Sequence, residues 1–181
     1  TVQGDFTMIG NANLRLPTRY VNSCSDYSQN GRQSMTYIDI DNDGSTVNSS
    51  SSELILPTGS TIVYAGLYWT GRGQNSGRGS ALINGLDKSV IKLKHASAGS
   101  YTTINAIDNN FTENIYYPPE GTSGGYTDGY MYSAYADVTA YVKEKGAGNY
   151  FAADIACAEG NIDGSGFYGG WGMIVVYSSP S

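Results

Sequence analysis

The sequence predicts an all-β protein, folded as a two-sheet β-sandwich of jelly-roll type, and three observations lead to this fold class. Helical signals are nearly absent along the 181 residues. Short runs rich in Val, Ile and Tyr are separated by clusters of Gly, Asn, Ser and Pro, which is the pattern of strands and turns. Several of these runs are apolar on both faces, as expected of strands that share one core between two packed sheets.

The strands follow from the alternation of side chains along each run. We expect them near 5–9, 13–16, 34–40, 52–55, 61–70, 80–84, 89–95, 101–106, 131–137, 149–158 and 170–178. In the run 61–70, strict alternation places Val63 with Leu67 on one face and Ile62 with Tyr64 on the other. The run 170–178 is apolar without interruption from Trp171 to Tyr177, which is typical of a buried strand.

The segments between the strands complete this prediction. The stretch 137–148 favours one or two helical turns that end at Gly146. Long loops rich in Gly and Tyr are expected at 71–80 and 116–129, and loops of that length are often functional. No internal repeat or linker divides the chain, so we expect a single domain over residues 1–181.

Composition excludes two classes of partner. Lys and Arg number 10 against 16 Asp and Glu, and the formal charge of −6 disfavours nucleic acid, whose binding needs a basic face. No apolar run approaches the roughly 18 residues of a membrane-spanning helix, so we expect no membrane insertion. The first eleven residues have no signal-peptide pattern, so a secreted protein would be represented here by its processed chain.

An acidic turn at 39–44 is the first candidate site. Asp39, Asp41, Asp43 and Gly44 match the first six positions of a calcium-binding EF-hand loop. The twelfth position would be Ser50 instead of the required Glu, and no helices flank the turn. A calcium site and a plain Asp-Gly turn between two strands both remain open. A second acidic loop at 159–166 carries Glu159 and Asp163 and is a weaker cation candidate.

Catalytic patterns are missing from the sequence, and we expect no enzyme. His95 is the one histidine, which leaves too few imidazoles for a typical catalytic zinc site, and we place it at a strand end on the surface. No G-x-S-x-G pattern surrounds a serine. Cys24 and Cys157 are far apart in the chain, and they form either one long-range disulfide or two separate buried thiols.

Tyrosine, with 16 copies, is the more informative residue type. Its flat apolar ring and polar hydroxyl suit stacking on sugars or packing in a protein interface, although tyrosine is also a good strand residue. The candidate ligand or interface residues lie in or beside the predicted loops and are Tyr116, Tyr117, Tyr126, Tyr130 and Tyr132.

Four segments, in order, resemble a known family: "GDFTMIGN", "IVYAGLYWTGR", "YSAYADVTAYVKEKGAGNYFAADI" and "GFYGGWGMIVVY". They resemble the N-terminal-type module of very large secreted, adhesin-like surface proteins of gliding and biofilm-forming bacteria. The resemblance implies an extracellular, non-catalytic β-sandwich that serves adhesion or filament construction. It implies other protein subunits or surface glycans as partners, and it supplies no catalytic residues.

Two further hypotheses follow. The chain stops just after the strand 170–178, where the related proteins continue, and an open sheet edge accepts another strand. Together with the segment 1–10, this suggests a homopolymer that assembles by strand addition. The alternative function is a carbohydrate-binding module in which loop tyrosines, assisted by calcium, hold sugar hydroxyls. A hydrolase on a sandwich scaffold is a third and weaker hypothesis.

Overall fold

The computed structural model describes residues 3–16, 34–73, 82–106, 114–117, 131–162 and 165–179. One helix and thirteen strands lie within these ranges. They are β1 (Gly4–Ala12), β2 (Leu14–Arg15), β3 (Thr36–Tyr37), β4 (Ser49–Leu54), β5 (Thr61–Arg72), β6 (Val90–His95), β7 (Thr102–Asn105), β8 (Ile115–Tyr116), β9 (Met131–Asp137), α1 (Thr139–Lys145), β10 (Gly148–Ala153), β11 (Asn161–Ile162), β12 (Ser165–Gly166) and β13 (Gly169–Ser178).

Two antiparallel sheets form the sandwich. One has the strand order β1-β13-β5-β9-β8 and the other the order β4-β10-β6-β7, and two small sheets pair β2 with β3 and β11 with β12. Eight strands remain when the two-residue strands are left out. If these eight are renumbered from 1 to 8 in chain order, the sheet that contains β1 has the order 1-8-3-6, and the sheet that contains β4 has the order 2-7-4-5. This arrangement of two interwound Greek keys is a jelly roll. The predicted fold class is confirmed.

Alternation along the strands builds the core between the sheets. Leu67, Trp69 and Met173 point inward from the five-stranded sheet, and they meet Leu93 and Tyr150 of the four-stranded sheet in one buried cluster. Each of these side chains is removed from water, which is the main favourable term in folding. The core therefore holds the two sheets face to face.

One β-bulge changes the predicted faces of β5. The register with β13 moves from Val176↔Tyr64 to Tyr177↔Ile62, so Val63 is an extra residue. Ile62 is consequently turned inward, with 8% of its surface exposed, and Val63 outward, with 45% exposed. The predicted faces of these two residues were wrong because strict alternation does not continue through a bulge.

Other element boundaries differ in places from the prediction. The helix is confirmed: α1 spans Thr139–Lys145 and ends at Gly146, whose positive φ of 74° suits glycine. The predicted strand 149–158 instead stops at Ala153, because Asp154 adopts a left-handed φ of 59°. Within the described part of the chain, no helix is long and apolar enough to cross a bilayer.

Strand β1 is an edge strand that pairs with β13 from Gly4↔Ser178 to Ala12↔Gly170. The predicted strand-addition segment is thus engaged in its own sheet. Moreover, the Asp5 carboxylate accepts a hydrogen bond from the Phe6 N–H at 2.8 Å, and the Asn11 amide oxygen accepts one from the Ala12 N–H at 2.9 Å. Polar side chains that occupy an edge in this way protect it from pairing with another chain.

A chain of buried polar groups connects the two sheets. Asn48 accepts a hydrogen bond from Asn13 Nδ2 at 2.7 Å and one from the Ile155 N–H at 3.1 Å, and it donates to the Ile155 carbonyl at 3.0 Å. Ser50 Oγ donates to Asn13 Oδ1 at 2.6 Å and accepts from Trp171 Nε1 at 2.9 Å. Because water has no access to these groups, each of them depends on the others for its hydrogen bonds.

Removal of the central asparagine tests this network. We expect Asn48→Ala to lower the free energy of unfolding by about 2–4 kcal/mol, because Asn13 and the backbone of Ile155 are left buried without partners. The Tm should fall by about 5–15 °C in a protein of this size. The exposed Thr103→Ala serves as control, and equal losses for the two variants in calorimetry would contradict the role of the network.

Candidate functional site

The acidic turn lies beside β4 and β6 and is organised by hydroxyls and a lysine. Asp41 Oδ1 accepts a hydrogen bond from Ser49 Oγ at 2.6 Å, and Asp41 Oδ2 accepts from Tyr101 OH at 2.7 Å. Ser49 Oγ also lies 3.1 Å from Asp39 Oδ1. The carboxylate of Asp43 is occupied locally by the N–H and hydroxyl of Ser45, at 3.0 and 2.8 Å.

A lysine ammonium lies between two of the carboxylates that were predicted to bind calcium. Lys94 Nζ is 2.7 Å from Asp41 Oδ2 and 3.8 Å from Asp43 Oδ2. The ammonium also lies over the rings of Tyr101 and Phe151, at 4.2 and 5.3 Å from their centroids. Among the residues that the structure describes, no three carboxylate, imidazole or thiol side chains are placed to hold a metal ion. The turn is therefore an ion-pair cluster with its own cation.

Hydrogen bonding outweighs burial in setting the charge of Asp41. Burial on its own would raise the pKa of this carboxyl, but hydrogen bonds from Lys94, Ser49 and Tyr101 stabilise the charged form and lower the pKa from 3.8 to about 2. Asp41 is thus held ionised, and its charge is used to fix the turn against β6.

The second acidic loop is also occupied by the protein itself. Glu159 Oε1 accepts hydrogen bonds from Thr36 Oγ1 at 2.6 Å and from the Tyr37 N–H at 2.8 Å. Glu159 thereby fastens β3 to the segment after β10. Asp163, its predicted companion, lies outside the described residues.

The predicted tyrosines have different positions. Tyr116 on β8 is exposed, whereas Tyr117 is partly buried against the core, with Lys88 Nζ 5.6 Å from the centroid of its ring. Tyr132 is 1% exposed because β9 points it into the core, so its assignment to a recognition surface was wrong. Tyr126 and Tyr130 lie outside the described residues.

His95 and Cys157 are both buried. His95 is 7% exposed, with its ring Nδ1 2.8 Å from Ser97 Oγ and Nε2 3.3 Å from the Ala147 carbonyl, so the predicted surface position was wrong. It packs edge-on against Tyr150 inside the sandwich. Cys157 is buried, and burial raises the pKa of its thiol to about 12. Cys24 lies outside the described residues, so the disulfide stays a prediction.

A shallow groove on the outer face of the five-stranded sheet is a site that the sequence did not reveal. Its volume is about 390 Å³, which is within the range of ligand-binding clefts. Small residues form its floor and two tyrosines its sides, and the residues concerned are Ala12, Thr70, Gly170, Gly172, Tyr68 and Tyr168. A second groove of about 330 Å³ adjoins it on the other side of Tyr68, where Tyr116 and Tyr135 line it.

Neighbouring tyrosines brace Tyr68 between the two grooves. Its ring lies 5.0 Å from that of Tyr135, at an interplanar angle of 40°. The Tyr135 hydroxyl is in turn 2.9 Å from the hydroxyl of Tyr64. Aromatic pairs in such tilted arrangements stabilise each other beyond the area they bury. The ring of Tyr68 is thus supported in one orientation at the surface.

Comparison with known proteins gives no match: no protein-family model, no curated protein and no solved structure is significantly similar to this chain. The function of the chain is therefore inferred from the geometry described above.

Stability at low pH tests the ion pair of the acidic turn. Because the pKa of Asp41 is lower in the folded protein, its contribution is fully present above pH 3.8 and is lost as the pH falls through about 2. We expect Asp41→Asn to lose about 2 kcal/mol of unfolding free energy at pH 7, and the difference from the wild type to shrink across that window. Denaturant titrations at each pH measure this difference.

A double-mutant cycle with Lys94→Met provides the control. Asp41→Asn and Lys94→Met remove the same ion pair. The double variant should therefore lose much less unfolding free energy than the two single variants lose together. A loss that is additive, or one that is as large at pH 2 as at pH 7, would contradict the assigned role of the pair.

Calcium gives a separate test of the same turn. We expect millimolar calcium to leave the Tm of the wild type unchanged, because the Lys94 ammonium lies 2.7 Å from the carboxylate that the ion would need. Thermal unfolding with calcium and with a chelator measures this, and magnesium controls for ionic strength. A Tm that rises in calcium alone would support the calcium prediction.

Proposed function

We propose that this chain is a non-catalytic adhesive module that works outside the cell, at a bacterial surface. The observation that carries the proposal is the outer face of the five-stranded sheet, where large apolar side chains remain open to water. Phe6 is 59% exposed, Met8 64%, Tyr116 61%, Tyr168 41% and Tyr68 39%. Exposed apolar patches of this kind on soluble proteins commonly mark interaction surfaces.

The register makes this face continuous. Phe6 is opposite Val176, and Met8 is opposite Ile174, so the edge strand and its neighbour present four apolar side chains together. We name these four residues, Phe6, Met8, Ile174 and Val176, the apolar patch. The tyrosine-lined grooves lie on the same face, toward β9 and β8. A partner could therefore bind to the patch and the grooves at once.

Two other observations support a binding role. The sequence resembles adhesin-like surface modules along most of its length. In addition, the one histidine, His95, is buried with its ring nitrogens near Ser97 and Ala147, so its imidazole does not face a substrate at the surface. Polymerisation by strand addition is not part of this proposal, because residues 4–12 already pair with β13.

Adhesion under flow tests the proposed function. Beads coated with the chain should be retained on glass or polystyrene several-fold better than beads coated with albumin. The double variant Phe6→Ser, Met8→Ser should reduce retention, because it removes half of the apolar patch. Ile55→Ser is the matched control, since Ile55 is 71% exposed just beyond β4, on the other sheet. Retention no better than that of albumin beads, or turnover of a glycan by the purified chain, would refute the proposal.

A further inference from the structure

We infer that the grooves beside Tyr68 bind a neutral polysaccharide that lies across the strands of the five-stranded sheet. This inference rests on the proposed adhesive function and names the ligand of its recognition face. Of the tyrosines in the sequence prediction it keeps Tyr116 on β8, and it adds Tyr68 on β5 and Tyr168 just before β13.

The two grooves follow a path perpendicular to the strands. Ala12, Gly170, Thr70, Ser133 and Tyr116 are successive cross-strand neighbours on β1, β13, β5, β9 and β8. Five strands enclose four spacings of about 4.8 Å, so the path is about 19 Å long. A path of that length suits a polysaccharide segment of several sugar rings better than it suits a single small molecule.

Charge selects a neutral ligand. Among the described residues, none of the side chains that line the two grooves is charged. The chain as a whole carries a formal charge of −6, which would repel an acidic polysaccharide at low salt. A ligand without charge avoids this repulsion and has no charge to desolvate when it enters these grooves.

The polar groups along the path suit hydroxyl-rich rings. Tyr68 and Tyr168 offer apolar faces with a hydroxyl at the tip, a combination that fits the C–H face and the hydroxyls of a sugar. Thr70 Oγ1 donates to the Tyr132 carbonyl at 2.6 Å and keeps acceptor capacity. Because Tyr68 is braced by Tyr135, little side-chain freedom is lost when a ring stacks on it.

An extended peptide fits these grooves poorly. Peptides that bind to sheets gain most of their affinity from hydrogen bonds to an open strand edge. Here the middle of the path lies over β13, β5 and β9, which are interior strands whose backbones already pair on both sides, and only its two ends reach the edge strands β1 and β8. A peptide would bring unpaired backbone groups into contact with an apolar surface, which costs free energy.

Gly172 allows the groove to be blocked without disturbing the fold. A Cβ added there would lie 3.7 Å from its nearest neighbour, the Ile9 carbonyl oxygen, which is an ordinary contact. Gly172 is opposite Tyr68 in the register with β5, so a larger side chain would fill the floor beside that ring. Gly99 is a matched control because a Cβ at that position meets nothing within 4 Å.

The experiment uses affinity electrophoresis and titration calorimetry with soluble β-glucan, xylan and galactomannan, and with alginate as an acidic polysaccharide. We expect the wild type to bind at least one neutral polymer. Gly172→Val and Tyr68→Ala should each weaken that binding at least tenfold, while Gly99→Val should leave it unchanged. All variants should keep the wild-type Tm within a few degrees, which separates loss of the site from loss of the fold.

Several results would overturn the inference: binding to alginate alone, binding to none of the polymers, or neutral binding that survives both Gly172→Val and Tyr68→Ala. Dimerisation that Gly172→Val abolishes, without any polysaccharide binding, would show that a second copy of the chain occupies the groove. Beads that adhere to glass while no polymer binds would leave the adhesive function in place and remove only its proposed ligand. Polymer binding without bead retention would keep the polysaccharide site and refute the adhesive function.

Discussion

The buried hydrogen-bond chain through Asn13, Asn48, Ser50 and Trp171 is the constraint on which the rest of the structure depends. It joins the end of β1, the start of β4, the exit from β10 and the beginning of β13, which belong to different sheets. Apolar packing alone would tolerate small shifts between the sheets, whereas buried polar groups require one registration to be satisfied. The network also fixes the groove, because Ala12 and Gly172 of the groove floor are sequence neighbours of Asn13 and Trp171.

The sequence was sufficient for the fold class because its signals are local. Alternating apolar residues, glycine and proline breaks and the stop at Gly146 each act within a few residues, and the jelly roll and α1 were predicted from them. The groove had no such signal. Its sides depend on pairs such as Gly172 with Tyr68, which are about a hundred residues apart in the chain. The burial of Tyr132 and the bulge at Val63 were missed for the same reason, since partner strands decide both.

The acidic turn shows how a distant residue changes the meaning of a motif. Three aspartates in alternate positions suggested a cation site, and the structure does place a cation between two of them, in the form of Lys94. Lys92 makes a similar pair with Asp154 at 2.8 Å. Both lysines belong to β6, so the charged clusters lie with the four-stranded sheet, while the exposed aromatic side chains lie on the five-stranded sheet. The two outer faces of the sandwich thus differ in chemistry: one carries ion pairs, and the other exposes aromatic side chains to water.

The pairing of β1 with β13 has a mechanical consequence. Gly4 and Ser178 are direct neighbours at one end of the five-stranded sheet. Tension applied between these two residues would pull the strands apart sideways, so their hydrogen bonds would break one after another instead of all together. Such a strand pair yields at low force and lengthens gradually. A protein loaded in this way would absorb a sudden pull by partial extension while the remaining strands of the sandwich stay folded.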